Sequence, residues 1–209
     1  TVEYRLDPND SWRIDFEDIE SKMDDSVRLL VVINPNNPTG NVATEEEIDK
    51  LVKLAQKWPK CTIIADEIYD GLDFTGSLVS VASKSDNVPV IVLNGVSKVY
   101  FAPGWRIGYM AWHDPHGKLD LVRDGVERLL RSRLCASTPA QYGYLAGLRD
   151  DSNWLQGHRD RIKQRLDHCM MRISEIEGIE CEEPGGAFYL FVRITRDDMS
   201  SDDKRFVLD

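Results

Sequence analysis

The chain has 209 residues, 42% of them hydrophobic, and its 36 acidic against 26 basic side chains give a formal net charge of -10. This composition suits an α/β protein with a sizeable core, and the acidic excess without a basic stripe argues against a nucleic acid or an anionic membrane as partner. Four scattered cysteines without a CxxC pair, and no apolar run long enough to span a bilayer, point to reduced thiols in a cytoplasmic protein; the four histidines lack metal-ligand spacing, so no metal is assigned.

Thr1 stands where an initiating Met is expected, so a piece of a longer protein is expected. Residues 28–33 (RLLVVI) are a short β-branched run stopped by Asn34-Pro35, the pattern of a buried strand. Thr44-Glu45-Glu46-Glu47 is a capping box, and Ile48, Leu51, Val52, Leu54 and Ala55 continue at helical spacing up to Trp58-Pro59. Residues 61–65 predict a second strand that delivers Asp66, and residues 90–93 a third that delivers Lys98 shortly beyond. Strands alternating with helices imply crossover units and a mainly parallel sheet with flanking helices. Ligands of such sheets sit beyond the carboxyl ends of the strands. Asn37, Asp66 and Lys98 all follow such ends, so three segments can converge on one cleft.

Residues 107–112 form another apolar run, and helical spacing follows over 119–133, 140–148 and 154–176. Two short strands are predicted at 179–181 and 187–192, separated by Glu182-Glu183-Pro184-Gly185-Gly186. The glycine pair reads more readily as a hairpin than as a close approach to a ligand. The change of pattern divides an α/β large domain (1–152) from the start of a smaller α+β domain (153–209). Residues 200–203 read as a further helix start.

Lys98 is the most informative residue, because Asp66, Tyr69 and Asn37 lie upstream and Arg106 lies eight residues downstream. A lysine amine, a carboxylate and an arginine are what a pyridoxal phosphate site requires: a Schiff base to the aldehyde, a partner for the pyridinium nitrogen and a clamp on the phosphate. The Tyr69 phenol and the Asn37 amide can donate to a ring oxygen. Each residue alone has a plainer reading: an exposed loop lysine, a helix cap at Asp66, a packed aromatic at Tyr69, a turn-rich connector around Asn37, a surface arginine at 106. Glu67 is assigned a surface or supporting position.

NPNNPTG at 34–40, ADEIYDGL at 65–72, NGVSK at 94–98 and GWRIGYM at 104–110, in that order, resemble the fold-type I pyridoxal phosphate aminotransferases of class I. The runs Arg133-Leu134-Cys135-Ala136, Pro139-Ala140-Gln141 and DDKRFVLD at 202–209 resemble the bacterial and archaeal alanine branch. The resemblance implies pyridoxal 5'-phosphate as cofactor and Lys98 as both Schiff-base lysine and general base. It implies Asp66 as pyridinium partner, Asn37 and Tyr69 as donors to the ring hydroxyl, Arg106 as phosphate ligand and Ser97 as a further phosphate contact. Many relatives carry Ser or Thr three residues before the lysine, where this chain has Gly95. The family is much longer, with an amino-terminal half that cradles the phosphate and stacks an aromatic on the ring, and a later arginine that clamps the substrate carboxylate. This chain then corresponds to the middle and later portion.

The implied reaction is transamination between L-alanine and 2-oxoglutarate by a homodimer. Alternatives on the same scaffold are an aspartate, aromatic or branched-chain donor, and a carbon–sulfur lyase or cyclase that diverts the carbanion. A ligand-sensing domain of a regulator and a non-catalytic fragment are the readings from other classes.

Overall fold

The computed structural model describes residues 1–196. The chain opens with a small strand pair, β1 (Leu6–Asp7) and β2 (Arg13–Ile14), and then a short helix α1 (Phe16–Lys22). The Asp15 carboxylate caps α1 by accepting from the Asp18 N–H at 2.9 Å. Sequence patterning missed this helix, which spans barely two turns.

The central sheet follows. β3 (Leu29–Ile33), β4 (Thr62–Asp66) and β5 (Val90–Gly95) run parallel in that order, and β6 (Gly108–His113) joins antiparallel to β5. The fold is therefore α/β with a mainly parallel sheet. Between β3 and β4 the chain crosses over through α2 (Glu45–Gln56). Its capping box is complete: Thr44 Oγ1 accepts from the Glu47 N–H, and Glu47 Oε2 accepts from the Thr44 N–H. The helical spacing noted above packs Ile48, Leu51, Val52 and Ala55 onto Leu30, Val32, Ile63, Ala65, Val90 and Val92 of the sheet. Ile48 and Leu51 are wholly buried, each worth about 1.5–3 kcal/mol relative to exposure.

No α-helix links β4 to β5. Two 3-10 turns, Asp70–Leu72 and Val81–Lys84, stand there instead. Glu67 holds the second: one of its oxygens accepts from Ser80 Oγ (2.8 Å) and from the Val81 N–H (3.0 Å). Of the two positions expected for Glu67, surface or supporting, it takes the second, as a buried anchor. Its carboxyl is pushed up by burial, against the pull of those two hydrogen bonds.

Beyond β6 come α3 (Asp120–Ser132), α4 (Thr138–Arg149) and the long α5 (Trp154–Ser174). The three predicted helices are all present within a few residues of their expected ends. Helix α3 has the apolar spacing of a packed helix, yet Leu121, Leu129 and Leu130 are exposed. The described chain ends with β7 (Ile179–Cys181) paired antiparallel to β8 (Val192–Ile194). The second strand expected at 187–192 begins only at Val192, because Ala187 is buried in the left-handed region (φ 59°) and residues 188–191 are not in a strand. The expected helix start at 200–203 lies outside the described residues. No helix among those described is long and apolar enough to cross a membrane.

Candidate active site

Strand register sets the site. Ile33 pairs with Asp66 and Asp66 with Leu93, so β3 and β4 end level and β5 runs two residues further, which brings the three following loops to the same end of the sheet. The first loop, 34–40, is tied down by its own amides. The Asn34 N–H donates to the Asp66 carbonyl (3.0 Å), Asn34 Oδ1 accepts from the Ala43 N–H (2.9 Å), and Asn36 Oδ1 accepts from Thr39 Oγ1 (2.9 Å). Asn side chains satisfy turn backbone in this way, which accounts for their clustering. Asn37 is left exposed beyond the strand end.

Asn37 Nδ2 donates to Tyr69 Oη at 3.2 Å, and Tyr69 Oη lies 2.7 Å from Tyr189 Oη. Tyr69 is buried, with edge-on ring contacts to Phe188 and Tyr189. Burial holds its hydroxyl well above the usual phenol range, so Tyr69 stays protonated. Lys98 Nζ lies 5.8 Å from the centroids of both the Tyr69 and Phe188 rings. Its turn is closed by the Phe101 N–H donating to the Lys98 carbonyl (3.2 Å). The preceding Asn94 donates through Nδ2 to Asp70 Oδ2 at 2.8 Å, joining the lysine segment to the turn after Tyr69.

Asp66 is half-buried at the end of β4, and its Oδ1 accepts from the Ile68 N–H at 3.2 Å. No ion pair reaches this carboxylate among the described residues. Ser97 adjoins Lys98, half-buried. Arg106 stands apart: exposed and in the left-handed region (φ 53°), it donates through Nη1 to the Pro103 carbonyl at 2.8 Å. Asn37, Tyr69 and Lys98 are therefore brought together, Asp66 shares their sheet edge, and Arg106 neither hydrogen-bonds nor ion-pairs with any of them.

Gly95 has a steric reason. It faces Gly108 across β5 and β6, and a Cβ there would sit 2.8 Å from the Ile107 carbonyl oxygen and 3.0 Å from Gly108 Cα. A hydroxyl residue at this position displaces the backbone of the next strand.

The Gly185-Gly186 pair does not make the hairpin turn expected of it, since residues 182–191 separate the two strands. It packs on the Asn37 loop instead. The Gly186 N–H donates to the Gly40 carbonyl (2.9 Å), and the Gly185 carbonyl accepts from the Phe74 N–H (2.8 Å). A Cβ on Gly186 would meet Val42 and Pro35 at 2.8 and 2.9 Å. Gly40 has φ +71°, and a Cβ there would lie 2.3 Å from Pro184 Cβ. This close approach seats Phe188 and Tyr189 on Tyr69. Sequence reasoning missed Tyr189; the signal was the aromatic pair Phe188-Tyr189, one residue after the glycines.

The family model for aminotransferase class I and II matches residues 1–207. The chain belongs to that family. The alanine aminotransferase of Mycobacterium tuberculosis is 33% identical over 219 residues, which cover all of this chain and 49% of that protein. The glutamate-pyruvate aminotransferase AlaA of Escherichia coli is 33% identical over 213 residues, covering all of this chain and 52% of AlaA. Among solved structures, an alanine aminotransferase from Pyrococcus furiosus superposes with a TM-score of 0.95 at 42% identity, over 99% of this chain and 52% of its own. This aminotransferase chain thus spans about half the length of the relatives it matches.

Proposed function

We propose that the protein carrying this chain transfers an amino group between L-alanine and 2-oxoglutarate, with pyridoxal 5'-phosphate as cofactor. The observation that carries this reading is the meeting of Lys98, Tyr69 and Asn37 at one sheet edge. The names of its relatives, alanine and glutamate-pyruvate aminotransferases, support the choice of substrates.

The donor set fits the cofactor. A primary amine lies beside two aromatic rings, a phenol and a carboxamide are already joined, and a carboxylate without an ion-pair partner ends the neighbouring strand. When bound, pyridoxal phosphate supplies an electron sink for the substrate α-carbon. Lys98 would hold it through Nζ, Asp66 would accept from its ring N–H, and Asn37 and Tyr69 would donate to its ring oxygen. Ser97 and Arg106 would hold its phosphate, Arg106 by exchanging the Pro103 carbonyl for a charge-assisted pair. Once the amine of the amino acid has displaced it from the cofactor, Lys98 Nζ would be free to serve as base, taking the α-proton of the amino acid and returning it one position along. The Asp66 carboxylate keeps the ring nitrogen protonated, and Tyr69, held neutral, remains a donor throughout.

We further place residues 1–152 in the large domain and 153–209 in the small one, and we read the whole protein as a cytoplasmic homodimer. The deciding experiment is an assay of the full-length protein with L-alanine, L-aspartate, L-tyrosine and L-leucine against 2-oxoglutarate. A preference for L-alanine in kcat/KM, with glutamate and pyruvate formed in equal amounts, supports the reading. Ammonia released with pyruvate, and no glutamate, refutes it in favour of a lyase.

A further inference from the structure

The Tyr69 oxygen sits between two polar neighbours, and their chemistry limits what its proton can do. A phenol has one hydrogen to give and two lone pairs to receive with. Asn37 Nδ2 is only a donor and occupies one lone pair, at 3.2 Å. The second contact, Tyr189 Oη at 2.7 Å, can run either way. If Tyr69 gives its hydrogen to Tyr189, no proton is left for a ligand beside Lys98. If Tyr189 gives its hydrogen to Tyr69, both lone pairs are filled, and the Tyr69 hydrogen points in a third direction, away from Asn37 and Tyr189.

We propose that Tyr189 is a positioning residue: its phenol donates to the Tyr69 oxygen and so commits the single Tyr69 proton to the ring oxygen of the cofactor held at Lys98. This rests on the pyridoxal phosphate reading of the site and adds a residue to it. The surroundings hold the Tyr189 phenol in place against Tyr69. The Tyr189 ring centroid lies 5.6 Å from that of Tyr69 and 4.8 Å from that of Phe188. The segment leading to it is tied down by the Ala187 N–H donating to the Leu72 carbonyl (3.0 Å) and by the Gly186 N–H donating to the Gly40 carbonyl (2.9 Å). A donor that polarises Tyr69 strengthens the bond Tyr69 makes onward. The charged groups facing Tyr69 are the Lys98 amine, 5.8 Å from its ring, and the Asp66 carboxylate, whose field acts to keep the phenol protonated.

The test is a spectroscopic pH titration of the cofactor-loaded full-length protein in four forms: wild type, Tyr69→Phe, Tyr189→Phe and the double variant. Phenylalanine keeps the ring at either position, so packing survives, and the thermal midpoint of each variant checks it. Tyr69→Phe removes a donor to the anionic ring oxygen, so the midpoint of the Lys98-dependent visible band moves up. Tyr189→Phe moves it the same way by less, about half a pH unit. In the double variant the midpoint equals that of Tyr69→Phe alone, because Tyr189 acts only through Tyr69. The cofactor dissociation constant follows the same order. A Tyr189→Phe midpoint equal to wild type overturns the proposal, and so does a double variant in which the two shifts add. A wild-type protein with no Lys98-dependent band overturns the reading of the site, and the proposal with it.

Discussion

The Asn37 amide and the Tyr69 phenol, 32 residues apart in the chain, are joined by a 3.2 Å hydrogen bond. That bond closes a path from the loop after β3 to the loop after β4, and Lys98 reaches the same ring from the loop after β5. Register explains it, since Ile33 and Asp66 end β3 and β4 level with Leu93, and β5 runs only two residues further, to Gly95.

Tyr69→Phe breaks this junction while leaving the ring in place. One hydrogen bond of ordinary net worth, about 0.5–1.5 kcal/mol, corresponds to a loss of roughly 3- to 10-fold in pyridoxal phosphate affinity. Absorbance titration of the apoprotein with the cofactor measures it, and an unchanged affinity would remove Tyr69 from the site.

Gly40→Ala places a Cβ on Pro184 and forces a left-handed backbone on a residue that resists it. Overpacking of this kind costs about 1–3 kcal/mol, or a few degrees of Tm in a chain of this size. Because the same contact seats Phe188 and Tyr189, cofactor affinity falls alongside Tm. Differential scanning calorimetry and cofactor titration together check both halves, and a variant as stable as wild type would show that the loops do not touch.

Gly95→Ser restores the hydroxyl that many relatives carry. If a phosphate contact were simply missing, the variant would bind the cofactor more tightly. The Ile107 carbonyl and Gly108 Cα instead leave no room for the side chain, so lower stability and no gain in affinity are expected. Equilibrium unfolding and cofactor titration of the variant decide between the two.

Glu67 gives a pH prediction with a definite sign. Burial raises its carboxyl pKa in the folded state, so the folded state binds that proton more tightly than the unfolded one. Its contribution to stability is full below the ordinary glutamate range and is lost as pH rises through the raised value. Glu67→Gln retains an oxygen for Ser80 and Val81 but cannot ionise. Its stability relative to wild type should therefore improve as pH rises from acid to neutral, as followed by urea unfolding across that range. A difference that does not vary with pH would mean that Glu67 titrates normally.

These examples show what was legible in the chain. The strands ending at Ile33 and Asp66 and the one leading to Lys98 were visible because buried parallel strands are continuous apolar runs. The capping box at Thr44 and Glu47 was visible because its chemistry is local. The pairing of β6 could not be read, since an apolar run carries no sign of direction. Nor could the anchoring by Glu67, whose partners Ser80 and Val81 lie 13 and 14 residues away. The glycine pair misled for a related reason: glycine permits a turn and a close backbone approach equally, and only the position of Pro35 and Val42 decides. In α3 the apolar spacing foretold a helix correctly but said nothing of burial, and Leu121 is left 87% exposed. For the site, residue types and order pointed to Lys98, Asp66, Tyr69 and Asn37, whereas Tyr189 entered only through a contact 120 residues long.

The most direct measurement is the visible absorption of the full-length protein with pyridoxal phosphate, in wild-type and Lys98→Ala forms, before and after L-alanine. A yellow band that L-alanine bleaches, that 2-oxoglutarate restores and that Lys98→Ala lacks is the expected result. A protein that takes up no cofactor, or a band that persists in Lys98→Ala, would contradict the assignment of Lys98 and of the site built around it.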